Sequence, residues 1–126
     1  MGKLLLFLCL LLVPLAEAAA DEAEDKYQAL LKAARADPAN ADWQALRFAY
    51  AETPEFNVAS DPEGDDRKAI YEAFDVGDYK KALAAAKAVI ARAFIDLQAH
   101  RYAAVAYKHL NNPAGLDSEM RIASGL

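Results

Sequence analysis

Residues able to do chemistry are few in this chain, and their spacing argues against most reactions. His100 and His109 are the two histidines, nine positions apart on one predicted helix. At about 100° per residue that spacing puts them on roughly opposite faces, so they cannot share a metal ion. The acids of Asp61-Pro62-Glu63-Gly64-Asp65-Asp66 mimic the start of a calcium loop, with Glu72 in twelfth place. However, proline stands second and Asp66 takes the sixth place, where such a loop needs glycine to turn sharply. This is the composition of a solvated turn followed by a helix cap. Ser60, Ser118 and Ser124 lack the tight glycine elbow that exposes a nucleophilic serine. The remaining carboxylates fall in solvated clusters, not in the apolar surroundings that raise a carboxyl pKa for acid–base work. The reading is therefore no catalytic residue, no metal site and no cofactor.

Recognition is the chemistry that remains. Arg47 and Tyr50 precede, and Phe56 and Asn57 lie within, the stretch "TPEFNVASDPEGDD", the longest run without helical periodicity. Loops of that length in compact domains are commonly functional or disordered. Phe56 is too apolar to stand in water, so it either tucks against Trp43 or Tyr50 or edges a groove with Arg47, Tyr50 and Asn57. His100 joins these four as a candidate partner-binding residue, its ring either packed or facing the same groove.

The elements that must position these residues are all helical. Tyr27, Leu30, Leu31 and Ala34 recur at three and four and predict a helix from about Asp21 to Ala36, ended by Asp37-Pro38. Asn40 or Asp42 caps a second helix with the stripe Trp43, Leu46 and Tyr50, stopped by Thr53-Pro54. Asp65 or Asp66 caps a third, with Ile70, Ala73 and Phe74 inward and Gly77 as its terminator. Tyr79, Ala82, Leu83, Ala86, Val89 and Ile90 form the stripe of a fourth. A fifth runs from about Asp96 to Leu110, and a sixth begins near Ala114 with Leu116, Met120 and Ala123 inward. Strand-like alternation is absent, which predicts an all-α fold of short antiparallel hairpins.

Ahead of these helices, Lys3 and the apolar run Leu4–Leu15 lead into Ala16-Glu17-Ala18, a small-x-small pattern. That is the grammar of a cleavable signal peptide over residues 1–18, with cleavage before Ala19 and a periplasmic or secreted domain over 19–126. A lipid-anchored alternative needs a small residue before its cysteine, and Leu8 precedes Cys9. Without the leader the chain has no cysteine, so stability must come from packing alone. Its net charge of −5 argues against nucleic-acid partners and anionic membrane surfaces.

Gly77, Tyr79, Ala82 and Ile90 fall where the tetratricopeptide repeat, of 34-residue period, places its turn glycine, aromatic and small crossing residues. One period later Ala103, Ala104 and Tyr107 fall in the first helix of a following unit. This resembles one such repeat and part of another, which implies a right-handed helical stack; His100 stands where the family has a large aromatic. On a longer scale, "DWQALRFAYAETPEFNVASD", "GDYKKALAAAKAVI" and "DLQAHRYAAVAYKHL" resemble a secreted bacterial family catalogued as domain of unknown function 4919. That resemblance rests on Arg47 to Tyr50 and on Thr53, Pro54, Phe56 and Asn57, with Val58-Ala59 where the family tends to have Pro-Tyr. The family tends to continue past "IASGL", which implies a C-terminally incomplete domain, and it has no activity to inherit. The combined expectation is a secreted, non-enzymatic module that binds a protein or peptide. The alternatives are a structural platform or homo-oligomerising domain, and part of an envelope enzyme.

Overall fold

The computed structural model describes residues 5–56 and 65–126 and is all-α, with no strand among them. Six helices follow in chain order: α1 (Leu5–Ala36), α2 (Trp43–Glu52), α3 (Asp65–Asp75), α4 (Tyr79–Arg92), α5 (Leu97–His109) and α6 (Pro113–Gly125). Helices adjacent in sequence pack on one another, α1 with α2 and then α3, α4, α5 and α6 in succession. Short connections favour this arrangement because they leave room only for an antiparallel return.

The ends of these helices follow from local side-chain chemistry. Asp42, Asp78, Asp96 and Asn112 each sit at an N-cap, and each side-chain oxygen accepts the amide proton three residues on, at 2.9–3.0 Å. Such a bond satisfies a helix donor that otherwise has no partner. Gly77, at φ +71°, closes α3: its N–H donates to Phe74 and that of Asp78 donates to Ala73. Asn111, at φ +53°, closes α5 in the same way, with Asn111 donating to Lys108 and Asn112 to Tyr107. Both are left-handed helix terminators of one kind, 34 residues apart, each followed at once by the N-cap of the next helix.

Interior contacts divide into two regions. Tyr27, Leu31 and Ala34 of α1 pack with Leu46 and Ala49 of α2, and this hairpin meets Phe94 and Ile122. Ile70 of α3, Ala86 and Val89 of α4, and Ala99 and Ala103 of α5 form the second, extended by Ala73, Ala82 and Ala106. The many alanines let the helix axes approach closely, and two glycines of α6 go further: a Cβ at Gly115 would lie 2.5 Å from the Tyr107 ring and one at Gly125 would lie closer still to that of Trp43. Ile90 belongs to the edge of both regions.

Two expectations need correction. Helix α1 starts at Leu5, not near Asp21, and runs on through Pro14 into the alanine-rich stretch that follows it. Among its described side chains the first buried is nonetheless Tyr27, those from Ala16 to Lys26 being exposed or half-exposed. In α6 the inward positions are Ile122, with Leu116 and Ala123 half-buried, whereas Met120 is exposed. Glu119 turns inward instead, for the reason given next.

Candidate functional site

Of the five residues singled out in the sequence, Tyr50 and Phe56 come together. Phe56, just past the end of α2, meets the Tyr50 ring edge-on with centroids 5.8 Å apart, and Tyr50 in turn lies 5.4 Å from Tyr27 of α1. Phe56 is therefore half tucked in, though 41% exposed. Burial raises the Tyr50 hydroxyl above the usual tyrosine range, helped by the charges of Glu55 and Asp96. Tyr27 is raised too, by burial first and by Tyr50 second. Arg47 points elsewhere: its Nη1 donates to the carbonyl oxygens of Gly125 and Leu126, both at 2.8 Å. A cation at those last carbonyls complements the negative end of α6 and pins α2 to it. Asn57 lies outside the described residues, as do positions 61–64 of the acidic loop.

His100 does not line a groove. Its ring is 1% exposed, stands edge-on to Phe94 with centroids 5.1 Å apart, and has both nitrogens engaged. Nε2 lies 2.7 Å from the Phe94 carbonyl oxygen and Nδ1 lies 2.6 Å from Oε2 of Glu119. A carbonyl can only accept, so Nε2 carries a proton. One further proton then lies between Nδ1 and the carboxyl group, and the pair shares it whether written as imidazolium and carboxylate or as ring and acid. The histidine thereby ties the α4–α5 corner to α6. This bond also explains why Glu119 faces inward where an apolar stripe predicted Met120.

A depression beside these residues measures about 460 Å³ and is open to solvent. Tyr50, Arg67, Ala93, Ile95, Leu97 and Gln98 contribute to its wall along with Asp96. Its polar feature is an ion pair already satisfied within the protein: Arg67 of α3 reaches Oδ2 of Asp96, while Oδ1 caps α5.

Five rings form a second feature. Tyr71 of α3 meets Tyr102 of α5 edge-on at 5.4 Å, and Phe74 lies 5.7 Å from the same Tyr102. Phe74 then contacts Tyr79 at 5.9 Å, and Tyr79 stacks flat on His109 at 4.0 Å. The run crosses from α3 through α5 to the start of α4 and keeps Tyr71 36% and Val105 43% exposed nearby on α3 and α5. Tyr102 and Val105 are legible in the sequence as apolar residues off the main stripe of α5. Tyr71 is not, because it lies beside the inward residue Ile70 and has no spacing signature of its own.

Compared with known proteins, the chain matches no family model, no curated protein and no solved structure. Among the described residues no cluster of three or more histidine, cysteine, aspartate or glutamate side chains could hold a metal ion. Among the same residues no helix is long and apolar enough to cross a membrane.

Proposed function

We propose that the chain is a secreted, non-enzymatic helical-hairpin module that binds a protein or peptide partner across the faces of α3 and α5. The observation that carries this reading is the run of half-exposed rings from Tyr71 through Tyr102 to His109. Aromatic side chains supply large contact area at small entropic cost, which is why they dominate recognition surfaces. The groove expected at Arg47, Tyr50 and Phe56 is the weaker site, since Arg47 is already held by α6. The 34-residue offset between the Gly77 and Asn111 turns favours a tetratricopeptide-like stack, in which the first helices of successive hairpins share one face. The family resemblance through Arg47–Tyr50 and Thr53–Asn57 accords with a secreted module without an activity of its own.

Selection of a displayed random-peptide library on the purified protein tests the proposal. Binders are expected whose affinity falls at least about tenfold in Tyr71→Ser/Tyr102→Ser and is unchanged in Phe56→Ser. Binders indifferent to the tyrosines but lost with Phe56 would move the site to the end of α2. A second reading, a homo-oligomerising platform, draws on Phe48 of α2, 62% exposed. Sedimentation of the native protein and of Phe48→Glu distinguishes it: only an oligomerising face would dissociate.

A further inference from the structure

The α5 side of the binding face proposed above differs in charge from its α3 side, where Asp65, Asp66, Glu72 and Asp75 outnumber Arg67 and Lys68. The protein carries 19 acids against 14 bases. Helices α4 and α5 reverse this: between Tyr79 and His109 stand Lys80, Lys81, Lys87, Arg92, Arg101 and Lys108, with Asp96 as the single acid. Asp96 is itself taken by Arg67.

On α5 the cations and an exposed apolar residue share one stripe. Arg101, Val105 and Lys108 are spaced four and three apart, which places them on the same side of a helix. All three are exposed, at the edge of the half-buried Tyr102 ring. Neither Arg101 nor Lys108 has an ion-pair partner among the described residues. The stripe is therefore a cation, an apolar contact and a cation, bordered by Tyr71 and Tyr102, in an otherwise acidic protein.

We infer that the partner of this face is an acidic peptide segment with a leucine-like or aromatic anchor: carboxylates meet Arg101 and Lys108 while the apolar side chain covers Val105 and the Tyr71–Tyr102 pair. Complementary charge sets orientation and association rate, and the apolar contact supplies the holding energy. Charge alone favours α4 and α5 over the acidic remainder of the chain, and the exposed apolar contact at Val105 directs the segment to α5. This inference rests on the peptide-binding reading and adds the chemistry of the ligand.

The test uses the purified protein and three labelled peptides of one length: repeats of Glu-Glu-Leu, of Lys-Lys-Leu and of Gln-Gln-Leu. Fluorescence anisotropy is expected to show binding of the acidic peptide alone, weakening as salt is raised. Arg101→Glu/Lys108→Glu is expected to lose at least about tenfold in affinity and Val105→Asp a similar amount, with unchanged helical circular dichroism. Equal binding of all three peptides, lost in Tyr71→Ser/Tyr102→Ser, would overturn the acidic partner while sparing the peptide-binding face. Binding of no peptide would overturn both. A labelled oligo(dT) strand that binds through Arg101 and Lys108 as tightly as the acidic peptide would overturn the assignment in favour of nucleic acid. Self-association abolished by the same charge reversal would do so in favour of a second copy.

Discussion

At the scale of single residues, the arrangement around His100 makes the sharpest claim. A buried ring bonded to a carbonyl and to a carboxyl group leaves an expensive vacancy when one partner is removed. His100→Phe keeps an aromatic ring at this position, yet it strands Glu119 against α5 and is expected to lower stability by about 3 kcal/mol. Adding Glu119→Leu removes the stranded charge, and the double variant is expected to regain more than half of that loss, the bare Phe94 carbonyl accounting for the rest. Urea denaturation of the set measures this; a double variant no better than the single would show that the pair does not act as a unit. The tyrosines give a pH prediction of fixed sign. Tyr27 and Tyr50 are both raised in the folded state, so the stability they confer is complete below the ordinary tyrosine value of about 10 and falls as pH climbs through their folded values. Absorbance at phenolate wavelengths is expected to show two late-titrating tyrosines, with Tyr27→Phe removing one. Asp37 has the opposite sign. Hydrogen bonds from Asn40 and Ala39 hold its carboxyl below the usual range, so its contribution to the α1–α2 turn is present at neutral pH and disappears in acid as it protonates.

At the scale of elements, the fold was legible where local chemistry decides it and obscure where a distant group does. Asp42 as a cap, Gly77 as a terminator and the stripe of α4 all follow from rules that act within one turn of helix. The likeness between Gly77-Asp78 and Asn111-Asn112 was harder to read, since asparagine reaches positive φ less readily than glycine and Pro113 reads first as a break. That likeness makes a prediction. Gly77→Ala is expected to cost about 1 kcal/mol from backbone strain alone, because a Cβ there meets nothing within 4 Å. Asn111→Gly is expected to gain a few tenths of a kcal/mol through relief at φ +53°. Thermal unfolding of both variants checks the pair of signs, and a destabilised Asn111→Gly would mean that the asparagine side chain contributes something glycine cannot. Two positions were misread for non-local reasons. Arg47 sits on the exposed side of α2 and gives no hint in sequence that it reaches the end of α6. Glu119 looks like a surface acid until His100 is placed opposite it. The start of α1 was misread because the apolar run and the residues after it form one continuous helix.

At the scale of the whole molecule, the question is what makes the six described helices one body. The α1–α2 hairpin touches the rest through a small set of residues: Ile90 near the end of α4, Phe94 and Ile95 in the α4–α5 corner, and Ile122 with Leu126 at the end of α6. Polar contacts converge on the same place. Arg35 of α1 lies over the Phe94 ring at 5.0 Å, the Phe94 carbonyl receives His100, His100 meets Glu119 of α6, and Arg47 of α2 holds the final carbonyls of that helix. The corner therefore works as a hub, while the proposed binding face lies on α3 and α5. Such a division lets a binding face vary without loosening the stack. Ile90 is the position that distinguishes a hub from two loosely joined units, because it packs at the edge of both interior regions. Replacing it by alanine is expected to cost about 2–3 kcal/mol. With a hub, amide-exchange protection should fall together in α2 and in α3, and urea unfolding should stay a single transition of unchanged slope. A loss confined to α1 and α2, or a second transition, would show that the hairpin opens independently. The face on α3 and α5 would then belong to a four-helix unit able to bind without the first two helices.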